Sequence, residues 1–193
     1  MKTDLMIDLE TLGTGPLAVV VSVGAAAFSF DDSDTVTDQY RAVLDRDQQE
    51  HQFMRERDPS TVAWWEKQSP AARSVFEEPQ LEVHEALEGL AQFVGKHCVP
   101  QTEVRAWGNG ADFDLVILGS LYKDVKLQAP WRYHQQRCFR TLKSLFPREY
   151  DAAKRLPSLA GGPVVKHDAL ADAVWQARVA QELWRAGCLW GRE

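Results

Sequence analysis

The chain has 193 residues, 45% apolar and 26% charged. That composition excludes a disordered polymer and is long enough for a sizeable core in one domain, residues 1–193. The formal net charge of −6 excludes a protein that coats nucleic acid by bulk charge, and three scattered cysteines, Cys98, Cys138 and Cys188, argue against a disulfide framework or a zinc site.

In chain order, Asp4 to Glu10 reads as a strand apolar enough to be central, although Asp is depleted in strands. The N-terminus enters it with no secretory leader, and the longest apolar run, Leu17 to Phe30, is broken by Ser22, Gly24 and Ser29. Neither feature supports a membrane span, so a cytoplasmic protein is expected. Ala18 to Phe30 is rich in Val and small residues and reads as a second strand. A turn at Asp31-Asp32-Ser33-Asp34 leads to a third strand, Thr35 to Leu44, which completes a meander.

The pattern then changes. Asp58 or Ser60 offers a cap for a short helix carrying Trp64 and Trp65, and another short helix is expected across Pro70 to Phe76. Residues 81–97 place apolar side chains at 83, 86, 87, 90, 93 and 94, the stripe of an amphipathic helix. Residues 103–109 read as a short strand that runs into Gly108-Asn109-Gly110. A helix follows over residues 112–122, with Phe113, Val116, Ile117 and Leu121 on one side. Residues 135–146 read as a last strand entering a helix, and Lys154 to Val165 as a loop. A long terminal helix begins near His167 and is closed by Gly187. Three strands, then helices alternating with two further strands, indicate an α/β fold with a mixed sheet.

Charge is uneven along this order. Between Leu121 and Lys166 lie ten basic and three acidic residues, +7, which leaves −13 for the rest. That segment is either a phosphate track or a solvated surface.

Asp8 and Glu10 are two apart on a strand and so share a face. Two such carboxylates repel unless a proton or cation lies between them. Asp114 lies one helical turn into an element that starts just after a strand and a Gly-rich turn, and Asp172 lies on the terminal helix five residues after His167. Four carboxylates from three elements converge only around positive charge, and oxygen-only sites suit Mg²⁺ or Mn²⁺. Two such ions are the standard device for in-line displacement at phosphorus, with histidine as the residue type suited to take the proton of the attacking water.

The series Asp8-x-Glu10, Asp114 within "NGADFD" and His167-x-x-x-x-Asp172 resembles the DEDDh exonucleases. These are the DnaQ-like 3′–5′ exonucleases, with an RNase H-like mixed five-stranded sheet flanked by helices. The resemblance runs over essentially the whole chain. "IDLETLG", "TVAWWEKQ" and "WGNGADFD" make it most similar to the compact group that includes a phage DexA-type exonuclease and a mycobacterial exoribonuclease.

The resemblance implies two divalent ions, Mg²⁺ or Mn²⁺, with Asp8 bridging them, Glu10 and Asp172 completing the tighter site and Asp114 supporting metal binding through water. His167 is then the general base, and the substrate is the 3′ end of single-stranded DNA, with RNA as the alternative. An inactive nucleic-acid-binding module is the more distant alternative. Thr11, Leu12 and Gly13 are expected to meet the terminal nucleotide, with Leu12 as a wedge and Phe113 packing on it. Trp64 or Trp65 is either a stacking platform or core, and Asn109 either bonds a phosphate or sugar or makes its turn. Asp112 is assigned to solvent and Asp168 to the helix cap. His51, His84, His97 and His134 have no acidic partner at a telling spacing and are taken as solvated. No membrane partner is expected; a homo-oligomer is left open.

Overall fold

A computed structural model describes residues 1–30, 36, 38–101, 103–110, 112–160, 162–163 and 165–189, the last two without side-chain detail. The expected turn at residues 31–34 and the start of the third strand lie outside them.

Strands β1 (Asp4–Thr11), β2 (Val20–Phe28), β3 (Asp38–Val43), β4 (Arg105–Gly108) and β5 (Gln136–Cys138) form one sheet in the order β3-β2-β1-β4-β5. β2 lies antiparallel to both β1 and β3, whereas β4 is parallel to β1 and to β5. The sheet thus changes from antiparallel to parallel pairing at β1. The second strand is shorter than the sequence suggests: Ala18 makes only an isolated bridge to Glu56.

Alternation along β1 divides its side chains between two cores. Leu5, Ile7 and Leu9 join a cluster with Leu87 and Leu90 of α4 (Val83–His97) and Ile117 and Leu121 of α5 (Asp114–Asp124). Met6 faces the other way and packs with Ala173, Ala177 and Ala180 of α8 (Ala169–Leu189). All six apolar positions of the α4 stripe are buried. On α5, Ile117 and Leu121 are buried as expected but Val116 is not; Leu115, Leu118 and Tyr122 take its place.

Small residues let α8 lie close to the sheet. A Cβ on Gly24, which pairs with Asp8, would lie 2.2 Å from the backbone carbon of Ala169. No side chain fits in that gap, so the helix begins directly over β2. Asp168 caps it, Oδ1 accepting from the N–H of Ala171 at 2.8 Å. α8 continues through Gly187, which does not close it: the helix packs there, with the Phe146 ring 3.4 Å from where a Cβ of Gly187 would stand.

Helices α2 (Pro59–Trp65) and α3 (Pro70–Arg73), followed by a 3-10 turn at Ser74–Glu77, cover a third cluster of Leu12, Val19, Val21, Val43, Trp65, Ala72 and Val75. Asp58 rather than Ser60 caps α2. Sequence patterning reveals neither α1 (Arg46–Phe53) nor α7 (Pro147–Ala153), whereas α6 (Phe139–Leu145) follows β5 as expected. α1 has almost no apolar stripe. It is held by polar contacts: Asp45 caps it, and the Gln49 amide bonds both N–H and C=O of Val20 at 2.8 Å. Among the described residues no helix is long and apolar enough to cross a membrane.

Candidate active site

The end of β1 next to β4 and the start of α8 converge on one place. Asp8, Glu10 and Asp172 each offer a carboxylate oxygen, and these oxygens all lie within 4.8 Å of one another. The first two share a face because they are two apart on β1. Asp172 joins them because Asp168 fixes the start of α8 and Gly24 lets that start approach. Three carboxylates drawn this close are a hard oxygen donor set, fitted to a divalent ion such as Mg²⁺ or Mn²⁺.

The electrostatics agree. Burial, then the charges of Asp114, Glu10 and Asp172, hold the Asp8 carboxyl well above the usual carboxylate range. Burial and Asp172 push Glu10 up to about 8. Burial also raises Asp172, against the lowering effect of a hydrogen bond from the His167 backbone.

Asp114 serves the site differently. It is 2% exposed at the start of α5. Its Oδ1 accepts from the Leu9 N–H at 3.2 Å and its Oδ2 from the Asn109 N–H at 2.8 Å. Burial raises it to about 6, and those two bonds hold it back from rising further. Gly108 makes this approach feasible, since a Cβ there would stand 2.9 Å from Asp114 Oδ2. Asp114 thereby ties β1 to the end of β4 behind the trio of acids. Asp112 is exposed, as expected.

His167 enters from the loop before α8. Its backbone lies in the left-handed region, φ 63°, and its N–H donates to Asp172 Oδ2 at 3.1 Å. The imidazole meets the Trp64 ring edge-on at a centroid distance of 4.8 Å. Beside them is a hollow of about 450 Å³, lined by Glu10, Thr11, Gly13, Trp64, Trp65 and Phe113 together with Leu9, Thr14, Ser60 and Thr61.

Two of the expected substrate residues are almost fully buried. Leu12 is 4% exposed and packs in the third core cluster, so it presents no wedge to the hollow. Trp65 is 3% exposed, and its Nε1 donates to the Thr11 carbonyl at 2.8 Å, which makes it a wall. Trp64, 40% exposed, is the ring of the pair that faces outward. Thr11 itself is buried, its hydroxyl donating to the Gly13 carbonyl at 2.6 Å. Asn109 does more than turn the chain: its Oδ1 accepts from Lys143 Nζ at 3.2 Å. His97 is not simply solvated, because its Nδ1 lies 3.0 Å from Asp38 Oδ1.

Sequence patterning does not mark Gln176 as a site residue. Its Nε2 donates to Asp8 Oδ1 at 2.7 Å. Its place four residues after Asp172, on the same helix face, is the one signal that points to it.

Known proteins resemble this chain to different degrees. The nuclease domain of 3′hExo, a DEDDh family member whose structure was determined bound to rAMP, superposes with a TM-score of 0.61. It is 12% identical, over 96% of this chain and 92% of that one. Cell-death related nuclease 4 superposes with a TM-score of 0.62 at 13% identity, over 95% of this chain and 64% of its own. These likenesses establish the RNase H-like fold. The exodeoxyribonuclease of Enterobacteria phage T4 is 30% identical over 135 residues, 64% of this chain, and the match spans little more than half of that protein, 57%. Residues 3–184, which include all four acids and His167, match the family described as the 3′-5′ exoribonuclease Rv2179c-like domain. The chain therefore belongs to the family described as the 3′-5′ exoribonuclease Rv2179c-like domain.

Proposed function

We propose that this chain is a metal-dependent 3′–5′ exonuclease that acts as one domain on single-stranded ends and releases nucleoside 5′-monophosphates. The observation that carries the reading is the trio Asp8, Glu10 and Asp172, whose oxygens lie within 4.8 Å of one another and whose carboxyls are raised. Such a set is stable only around cationic charge. Divalent ions held there, Mg²⁺ or Mn²⁺, would supply charge neutralisation at the scissile phosphate and an acidified water.

The residues of the chain do the rest. Asp8 is oriented by Gln176. Asp114 holds the β1 backbone at Leu9 in place. His167, pinned by its N–H to Asp172 and by the edge of Trp64, takes the proton from the attacking water. Trp64 and Phe113 offer aromatic faces to the terminal nucleotide, a contact that tolerates any base.

DNA is the favoured polymer, supported by the phage exodeoxyribonuclease relative. RNA is the second reading, supported by the exoribonuclease description of the family. A 2′-hydroxyl contact separates the two. Labelled single-stranded DNA and RNA oligomers, digested in parallel with Mn²⁺, should shorten from the 3′ end to mononucleotides, the DNA faster. Cleavage that survives Asp8→Ala combined with Glu10→Ala would overturn the assignment of the site.

A further inference from the structure

Beside the turn that follows β4, two cations stand together on α6. Arg140 and Lys143 are three residues apart, so they share a face of the helix. The guanidinium Nη2 of Arg140 lies 3.6 Å from the Cβ position of Gly110. Lys143 Nζ bonds Asn109 Oδ1 at 3.2 Å and stands 5.2 Å and 5.6 Å from the ring centres of Phe139 and Tyr150. The same Asn109 donates its N–H to Asp114. One residue therefore connects the acidic site to the cationic pair.

Among the described residues, neither cation has a carboxylate within ion-pair distance. Lys143 is half-buried, and both desolvation and the Arg140 charge disfavour its protonated form. The Arg140 charge lowers the Asp114 carboxyl, so that acid offsets part of it; two like charges held close, one of them partly desolvated, still favour an anion between them. The neighbouring acids exclude a free-standing anion on their own side. β1, β4 and β5 run parallel and end along one rim of the sheet, so α6, which starts where β5 ends, stands on the rim that carries Asp8 and Glu10.

We infer that Arg140 and Lys143 clamp a non-scissile phosphodiester of the bound strand, upstream of the terminal nucleotide. The clamp rests on the exonuclease reading and deepens it, since it makes productive binding depend on a second phosphate. Asn109 fixes its distance from Asp114, so the clamp and the acids move as one.

The test compares two substrates of the intact protein with Mn²⁺: a single-stranded hexanucleotide, and the p-nitrophenyl ester of a nucleoside 5′-monophosphate, which has one phosphodiester only. Charge-assisted hydrogen bonds contribute about 1.5–3 kcal/mol, so in Arg140→Gln/Lys143→Gln the loss of kcat/KM on the hexanucleotide should exceed that on the ester by about tenfold or more, through KM. The charge-retaining Arg140→Lys should recover part of it. Equal losses on both substrates would overturn the clamp and leave the pair as a support for Asn109.

A binding measurement separates this from failure of the exonuclease reading. Anisotropy of a labelled single strand on the wild type and the double variant needs no turnover. The log–log salt slope should fall by about 0.7 for each phosphate that the variant no longer neutralises. An unchanged slope would overturn the clamp whether or not the ester is cleaved; an ester and oligomer both left intact by the wild type would count against the exonuclease reading instead.

Discussion

Gln176 lies one helical turn after Asp172 on α8, and its Nε2 donates to Asp8 Oδ1 at 2.7 Å across a separation of 168 residues. The bond opposes the rise in the Asp8 carboxyl that burial and its acidic neighbours cause. It therefore favours the ionised form that binds a cation. A hydrogen bond to a charged group contributes about 1.5–3 kcal/mol, so Gln176→Leu should move the Mn²⁺ concentration for half-maximal activity up by about tenfold. Activity at saturating metal should largely return. A metal titration of the variant with an unchanged midpoint would show the bond to be idle.

The raised carboxyls make the metal-free protein sensitive to alkali. Glu10 is pushed from 4.5 to about 8, and Asp8 and Asp172 are raised too. The folded state thus binds protons that the unfolded chain has released. Stability from Glu10 is present in full below about 4.5 and is lost as pH climbs through about 8. In EDTA, Tm should fall across that window, and Mn²⁺ should restore it. Glu10→Gln should flatten the metal-free profile and abolish most of the Mn²⁺ effect. A metal-free Tm that rose from pH 5 to pH 8 would contradict the arrangement of charges.

Asp8 and Asp114 should respond in opposite ways to the same substitution. Asp8→Asn removes one of the repelling charges, so it should raise the metal-free Tm at pH 8 while removing activity. Both oxygens of Asp114 accept backbone N–H groups, from Leu9 and Asn109. An amide supplies one acceptor and turns a donor towards the other N–H. Asp114→Asn should therefore cost about 1–3 kcal/mol of stability as well as activity. Thermal denaturation in EDTA distinguishes the two, and a shift of the same sign in both would refute the separate roles.

His167 combines a proton-transfer role with a left-handed backbone, φ 63°. His167→Ala should lose most of the rate. Left-handed backbone costs about 1–2 kcal/mol in an L-residue, so His167→Gly should be more stable than His167→Ala while equally inactive. Urea denaturation of both variants, beside their turnover rates, checks each half. An undiminished rate in His167→Ala would remove the base assignment.

The amino-acid order determined much of this protein unaided. Period-two alternation places Asp8 and Glu10 on the face of β1 opposite Leu5, Ile7 and Leu9, and 3.6-residue periodicity marks the inner stripe of α4. Spacing and composition are local, and they report which side of an element is apolar and where acids punctuate it. They do not report what covers that side. The resemblance implies Leu12 as a wedge, yet it packs with Val19, Val21 and Val43. His97 reads as unpaired until β3 brings Asp38 beside it, and α1 escapes notice because the Gln49 amide, not an apolar stripe, attaches it. Only the folded chain decides such matters. The trio of acids, the Asn109 link to Lys143 and the close crossing of α8 over Gly24 each depend on the mutual placement of elements far apart in the chain, where a pairwise contact leaves no periodic trace.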